Sequence, residues 1–522
     1  MPEIRKKDLQ DRYDFIVCGS GSSGSVIARR LADNPEVSVL LLEAGGHGNV
    51  PEVDDASAWP ANLGSVRDWN FQAQPNAHLN GRALAMNMGK VLGGGSSINV
   101  MQWSRGHKSD WDFFAEQAGH SRWSYQSVLD IYLKIENWQG PSDAVHRGKD
   151  GLLFVQPVPQ PKPVALALLQ SATSMGIPVY DSQNGAIMEG GGGISLADVR
   201  IQNGQRLSVF RSYLDSPVTR HNLTVLTGAL VVSVAIKDKR ATGVHCFVGE
   251  HQYTFNANKE VILSLGAIQT PKVLMQSGLG DAAQLRPLGI PVVEHLPGVG
   301  QNFQDHCMAM GCIWEYPEAP PSADPGVQAN LFLQSESGID TPDIQIMQVG
   351  VPFASAQIAA RVDIPECAWS MMPTLARPKS IGSLRLTGPN PNDGLEIHAN
   401  TLADPADLKV LMTAVEIARD LANSAAMRPF VKREVTPTGL NKPELEQFVR
   451  DSASSVWHQS CTAKMGRDAL SVVNGELAVY GVENLRVADA SILPRITTGN
   501  TMAPCVIIGE IAAELLKAKY RL

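Results

Sequence analysis

The chain has 522 residues, enough for at least two compact units, because single hydrophobic cores seldom grow beyond about 250–300 residues. Its net charge is −8 and its longest basic run is Arg5–Lys7, which makes nucleic acid and anionic membranes poor candidate partners. No apolar run reaches the roughly 18 residues of a transmembrane helix, and the first strand-like segment begins near Tyr13 behind a polar leader. We therefore expect no membrane span and a cytoplasmic location.

The seven cysteines are scattered and lack the paired spacing of zinc sites or the density of disulfide scaffolds. The twelve histidines are also dispersed, without a pattern such as HExxH. We expect buried free thiols and no metal.

The segment after Tyr13 has the order of a dinucleotide-binding βαβ unit. An apolar run, Phe15–Cys18, precedes a glycine-rich turn and a helix-like stretch, and a second apolar run follows at Val37–Leu42. The turn contains Gly19, Gly21 and Gly24 in the pattern GxGxxG. The first glycine permits the tight turn, the second lets the backbone approach a pyrophosphate, and the third allows the helix to pack closely on the strand.

Glu43 ends the second strand, 24 residues after Gly19. A carboxylate there accepts hydrogen bonds from ribose hydroxyls and repels a 2′-phosphate, which disfavours NADP. The motif by itself does not separate FAD from NAD.

Longer segments of the sequence resemble a known protein family. The stretch GKVLGGGSSIN over residues 89–99 and the stretch GAIQTPKVLMQSGLG over 266–280 resemble the two signatures of the glucose-methanol-choline (GMC) oxidoreductases. Thr270–Pro271 in the second stretch predicts a helix start, because proline is favoured at the first helical position. Further resemblance lies in four shorter segments, namely 298–306, 457–466, 485–494 and 499–504.

The resemblance implies an α/β, Rossmann-like FAD-binding domain and an α+β substrate domain with an antiparallel sheet backed by helices. It also implies FAD bound by residues of the glycine-rich segments and by three further positions. The positions are Gly19, Gly21, Gly24, Glu43, Gly93, Gly94, Ser96, Ser97, Asn99, the backbone near Val231, and Asp489. In one member of the family a histidine of the second glycine loop is linked covalently to the flavin. Ile98 occupies that position here, so we expect non-covalent FAD.

Alcohol oxidation by a flavin requires a hydride acceptor, the flavin N5, and a base for the hydroxyl proton. His458 lies in a segment that resembles the family's active-site loop, where this histidine takes the substrate proton, although a histidine beside a tryptophan also suits a packed core. The second catalytic position of the family is occupied by Asn500, which can donate a hydrogen bond but cannot act as a base. Asn500 also suits a helix N-cap. We interpret Asp305 and His306 as structural.

Val456 and Trp457 are predicted to line the substrate cavity beside the base. The pair Trp457–His458 resembles aryl-alcohol-type and 5-(hydroxymethyl)furfural-oxidising members of the family, and choline-dehydrogenase-like members are also similar. The methionine-bearing stretch 340–375 fits either a core or a cavity wall.

The motif order predicts an FAD-binding domain from residues 1–155, 200–310 and 455–522, and a substrate domain from 156–199 and 311–454. Strands are expected over 223–234, 241–248 and 261–265, with helices over 405–425 and 442–453.

The predicted function is oxidation of a primary alcohol to an aldehyde, with His458 as the base and oxygen as the electron acceptor. A dehydrogenase that uses a quinone or another small acceptor is the alternative, and a hydroxynitrile lyase on the same scaffold is a minor one. The small-molecule alcohol itself stays open, with choline disfavoured because no acidic and aromatic cage is identifiable near His458.

Overall fold

The computed structural model describes residues 9–215, 220–318 and 324–522. Two large sheets dominate these residues. The first has seven strands, Arg12–Cys18, Val39–Leu42, Leu223–Leu226, Ala229–Lys237, Arg240–Val248, His251–Leu263 and Leu485–Val487.

The strand His251–Leu263 joins two kinds of pairing in the first sheet. Its second half pairs in parallel with Arg12–Cys18 on one side and with Leu485–Val487 on the other. Its first half pairs antiparallel with Arg240–Val248, which continues into Ala229–Lys237. The parallel strands are apolar throughout because both faces are covered, as the buried run Val39–Leu42 illustrates.

The second sheet is antiparallel. Its strands are Gly193–Leu196, Cys307–Ala309, Cys312–Glu315, Val327–Leu333, Ile344–Val349, Ala368–Leu375, Arg433–Thr436 and Ala453–Ser455. The helices Pro163–Ser174 and Pro405–Ala422 cover one face through Leu168, Leu411 and Val415. The other face carries a second apolar cluster and is turned towards the site described below.

The remaining longer helices are Ser22–Leu31, Lys108–Ala118, Tyr125–Ile135, Gly266–Gln276, Lys442–Ser452 and Met502–Tyr520. Ser22–Leu31 packs along Met502–Tyr520 so closely that a Cβ on Gly509 would lie 2.7 Å from the Ser23 carbonyl oxygen. Smaller hairpins include Ser383–Leu386 with Leu395–His398. Within the described ranges, no helix combines the length and the apolar character needed to cross a membrane. All seven cysteines are free, and Cys367 is exposed.

The predicted helix start at Thr270–Pro271 is wrong. The helix begins at Gly266, and Pro271 lies inside it. Proline cannot donate the hydrogen bond that the Ala267 carbonyl would otherwise accept. The Thr462 hydroxyl donates to that carbonyl instead, at 2.6 Å, which is why the helix tolerates an internal proline.

The strands of the first sheet all fall within the ranges predicted for the FAD-binding domain. Cys307–Ala309 falls in the same ranges but pairs with Ala368–Leu375 and Ala453–Ser455 of the second sheet. The chain therefore crosses to the second sheet directly after His306. The division into domains remains a prediction.

Candidate active site

The first glycine turn connects the strand Arg12–Cys18 to the helix Ser22–Leu31, and its three glycines have different surroundings. Gly19 has φ +94°, a left-handed conformation that favours glycine. A Cβ on Gly24 would lie 1.9 Å from the Gly19 carbonyl oxygen, so this position keeps helix and strand in close contact. A Cβ on Gly21 would meet no atom within 4 Å, because Gly21 faces a cavity.

The second glycine loop lies on the same cavity. Gly93 donates its N–H to the Ser20 carbonyl at 3.1 Å, which ties the two loops together. Gly94, Ser96 and Asn99 line the cavity, whereas the Ser97 hydroxyl donates to the Leu92 carbonyl at 2.6 Å within the loop itself. Gly95 also lines the cavity, and a Cβ there would meet nothing within 4 Å.

Three further predicted residues, Glu43, Val231 and Asp489, also line the cavity. The Glu43 carboxylate accepts hydrogen bonds from the Ser20 hydroxyl and the Gly45 N–H, and burial raises its pKa. Asp489 accepts from the Thr270 hydroxyl and from the N–H of Gly266, which caps the start of that helix. The cavity thus offers glycine backbone that can approach the phosphates and the ring of FAD closely. It also offers a carboxylate at a strand end, which fits the ribose.

On the same cavity, the structure brings the two predicted catalytic residues together. His458 follows the strand Ala453–Ser455, and Asn500 precedes the helix Met502–Tyr520. The Asn500 Nδ2 lies 3.2 Å from the His458 Nε2. Asn500 is not the N-cap of the helix, since Thr501 is.

Asp305 and His306, interpreted from sequence as structural, both contact His458. The Asp305 carboxylate accepts from the backbone N–H of His458 at 2.8 Å and from the Ser455 hydroxyl, and so clamps the loop. The His306 Nδ1 lies 2.8 Å from the His458 Nδ1, with the two rings nearly perpendicular at 87°. His306 thus contacts the predicted base, which the sequence interpretation did not foresee, and the available signal was its place at the end of the family-like segment 298–306.

Burial dominates the electrostatics of this group. It lowers the pKa of His458 well below the ordinary value, and the neighbouring His306 lowers it further. Burial also lowers the pKa of His306 to about 4 and raises the pKa of Asp305 to about 7. Both imidazoles are therefore neutral at pH 7, which is the state that a proton acceptor requires.

The cavity beside His458 has an apolar wall. The predicted residues Val456 and Trp457 line it. Other wall residues come from the cavity-facing side of the second sheet and from two aromatic side chains, namely Met308, Val327, Met347, Val349, Met372, Trp59 and Phe353. The rings of Trp59 and Phe353 stack at 6.0 Å, and Trp457 meets Trp59 edge-on at 6.3 Å.

The methionine-bearing stretch supplies both core and cavity. Met347 and Met372 face the cavity, whereas Trp369 and Met371 pack against the helices on the opposite face of the sheet. Successive residues of a strand point to opposite faces, which explains why neighbouring methionines differ. In the three described stretches of chain, no cluster of His, Cys, Asp and Glu side chains has the arrangement of a metal site.

The GMC oxidoreductase profile matches residues 13–308 with its N-terminal part and residues 378–509 with its C-terminal part. The chain belongs to the glucose-methanol-choline oxidoreductase family, whose members bind FAD, and it is an enzyme that acts on CH–OH donors. The predicted fold class, an FAD-binding domain with a substrate domain, is confirmed.

Relatives match over nearly the whole chain. The oxygen-dependent choline dehydrogenase of Pseudomonas fluorescens is 33% identical, over 98% of this chain and 95% of that protein. The mitochondrial choline dehydrogenase of Homo sapiens is 34% identical, over 98% and 91%. Pyridoxine 4-oxidase from Mesorbium loti superposes with a TM-score of 0.91 at 27% identity, over 96% and 98% of the two chains. A fungal aryl-alcohol oxidase shares the fold, with a TM-score of 0.84 at 21% identity over 98% and 100%.

Proposed function

We propose that the protein oxidises an uncharged primary alcohol with an apolar, flat body to the aldehyde, and that oxygen is the electron acceptor. The observation that carries the proposal is the neutral, buried His458, whose Nε2 lies beside Asn500 at the edge of an apolar cavity. Both residues lie on the cavity that also contains the glycine loops.

In this proposal His458 accepts the hydroxyl proton at Nε2 while the Asn500 amide donates a hydrogen bond to the substrate oxygen. FAD, when bound, supplies the acceptor for the hydride that leaves the carbinol carbon. The residues proposed to hold it are those of the two glycine loops, together with Glu43, Val231 and Asp489. Ile98, a cavity residue with no nucleophilic atom, supports non-covalent binding.

The lining of the cavity supports an uncharged substrate. Its carboxylates in the described residues are Glu43 and Asp489, both among the residues proposed to hold FAD, and none lies among the methionines and aromatics beside His458. A quaternary ammonium that leaves water without a carboxylate partner loses hydration that aromatic rings only partly replace. Flat, apolar alcohols instead match the stacked rings of Trp59 and Phe353. Although the choline dehydrogenases are relatives in fold and family, choline is therefore a weaker candidate substrate for this protein.

Oxygen as acceptor is supported by the relatives, among which are a choline dehydrogenase named as oxygen-dependent and a pyridoxine 4-oxidase. The alternative, a quinone or another small acceptor, is an outcome of the experiment that follows.

The test is reduction of the bound flavin without air, followed by stopped-flow absorbance. Benzyl, furfuryl, aliphatic and sugar alcohols are compared with choline. We expect aryl alcohols to bleach the flavin with a larger ratio of rate constant to dissociation constant than choline. Faster bleaching by choline would overturn the proposed substrate class, and no bleaching by any alcohol would favour a lyase. Admitting air should then restore the flavin spectrum and produce hydrogen peroxide, whereas restoration only by a quinone would identify a dehydrogenase.

A further inference from the structure

A buried chain of side-chain amides leads from a backbone carbonyl to the proposed base. We name Gln183, Asn330 and Gln345 the amide relay. All three are 0% exposed, so no bulk water competes for their hydrogen bonds. The relay ends on Asn500, which faces His458.

The direction of the relay is set at its first link. The Gln183 Nε2 donates to the Trp103 backbone carbonyl at 2.6 Å. A carbonyl oxygen can only accept, so Gln183 must place its nitrogen there. Its Oε1 therefore points to the next amide and accepts from the Asn330 Nδ2 at 3.1 Å.

The following links have no freedom to reverse. With its nitrogen engaged by Gln183, Asn330 offers its Oδ1 to the Gln345 Nε2 at 3.1 Å. The same Nε2 has a second hydrogen, which it donates to the Asn500 Oδ1 at 3.2 Å. Asn500 must then turn its Nδ2 towards His458.

The last amide determines where the proton of His458 resides. An N–H that points at Nε2 from 3.2 Å requires a lone pair on that nitrogen. In a neutral imidazole the proton is then on Nδ1, from which it is donated to the His306 Nδ1 at 2.8 Å. The opposite tautomer would oppose two N–H groups at Nε2.

We infer that the amide relay is a positioning device that holds the proton of His458 on Nδ1 and keeps Nε2 unprotonated, so that its lone pair can accept the proton of the substrate when the hydroxyl takes the place of the Asn500 N–H. The inference rests on the proposed role of His458 as the base. Gln183, Asn330 and Gln345 are positioning residues in it, because they act only through Asn500.

The sharpest test is Gln345→Glu, which reverses the last link of the relay. The oxygen that replaces the Gln345 Nε2 carries at most one hydrogen, and the Asn330 Oδ1 requires it because Asn330 cannot reverse. Asn500 must then turn its Nδ2 towards position 345 and present its Oδ1 to His458. That carbonyl favours a proton on Nε2. We expect the rate constant of flavin reduction to fall about 100-fold, the lower end of the effect of a general base.

A second readout needs no turnover. With histidine labelled by ¹⁵N at both ring positions, the signal of His458, assigned by its absence in His458→Ala, should show a protonated Nδ1 and an unprotonated Nε2. Gln345→Glu should exchange these two assignments. A merely structural role for Gln345 would alter folding or flavin content without exchanging them.

The matched variants are Gln345→Met and Gln348→Met. Gln348 is buried on the same strand, and its amide has no hydrogen bond to the relay. Gln348→Met should keep the ¹⁵N pattern and the rate, whereas Gln345→Met should give a mixture of tautomers and an intermediate rate. If Gln345→Glu does not fold, this pair decides the question.

Unchanged tautomers and rates in the Gln345 variants would overturn the relay while His458→Ala still removes activity. Near-normal reduction in His458→Ala would overturn the proposed function instead. The two failures are therefore distinguishable.

Discussion

At the scale of single residues, the candidate site contains a histidine, His458, that is neutral at pH 7 because it is buried. Water is replaced around His458 by apolar side chains and by the His306 ring, and both changes disfavour the imidazolium. The residue is therefore available as a proton acceptor over a wider range of pH than an exposed histidine.

Replacement of His458 by alanine is expected to slow flavin reduction by the alcohol about 10²–10⁴-fold, because the hydroxyl proton loses its acceptor. Stopped-flow absorbance of the anaerobic reaction measures the rate. His251→Ala, at an exposed strand end, is the control and should react like the unaltered protein. Full flavin content in both variants would show that the loss is chemical.

The pH dependence of the same reaction follows from the lowered pKa. Since His458 acts in its neutral form, a lowered pKa extends that form to lower pH. We expect the acid limb of the reduction rate to lie below pH 6.5, the ordinary histidine value. A limb above pH 7 would contradict a desolvated base. His306, with a pKa of about 4, stays neutral through most of that range.

At the scale of elements, two glycines of the first glycine turn are expected to have different roles, Gly21 in cofactor binding and Gly24 in the stability of the fold. Gly21 has φ −63°, which any residue adopts, and its missing Cβ faces the cavity. Gly21→Val should leave the stability of the flavin-free protein within about 0.5 kcal/mol but prevent FAD from binding. The flavin absorbance per protein measures the loss.

Gly24→Val is the contrasting change in the same turn. Its Cβ would overlap the Gly19 carbonyl, so the free energy of unfolding should fall by about 1–3 kcal/mol or more. Equal stability losses in the Gly21 and Gly24 variants would contradict these different roles. Urea unfolding of the flavin-free proteins provides the comparison.

Elements with strong periodicity were predictable from sequence, and those fixed by distant partners were not. The helix expected over 405–425 is observed at Pro405–Ala422, where Asp404 caps its start. The helix at Gly266 was misplaced because its internal proline is compensated by Thr462, nearly 200 residues away in the chain. Local preference cannot reveal such a partner.

At the scale of the whole molecule, residues next to both sheets line one cavity, which contains the glycine loops and the apolar wall. We propose that FAD is held without a covalent bond, because Ile98, at the position where a relative carries the linked histidine, has no nucleophilic atom. Acid precipitation should leave a colourless pellet and release intact FAD into the supernatant, as judged by absorbance and chromatography. A yellow pellet would contradict non-covalent binding.

His458 and Asn500 could be predicted as candidate site residues because they lie within segments that resemble the family. The contact between His306 and His458 could not be predicted, because the two residues lie about 150 positions apart in the chain. The amide relay could not be predicted either, because Gln183, Asn330 and Gln345 have no local signature. Their relation exists only after the second sheet has formed and brought three separated strands or loops into hydrogen-bonding distance. Such polar networks are a property of tertiary structure.

Trp457, the residue before the base, has φ +61°, a left-handed conformation that is a genuine outlier for a bulky side chain. Such a conformation costs about 1–3 kcal/mol, which two hydrogen bonds help to offset: the Trp457 N–H donates to the Ser455 hydroxyl and the His458 N–H donates to Asp305. A residue that adopts this conformation at lower cost should therefore make the protein more heat-resistant, but it would remove the Trp457 ring from the cavity wall. A library selected for survival at high temperature would accumulate glycine or asparagine at 457, and the survivors would lack an aromatic wall beside the alcohol.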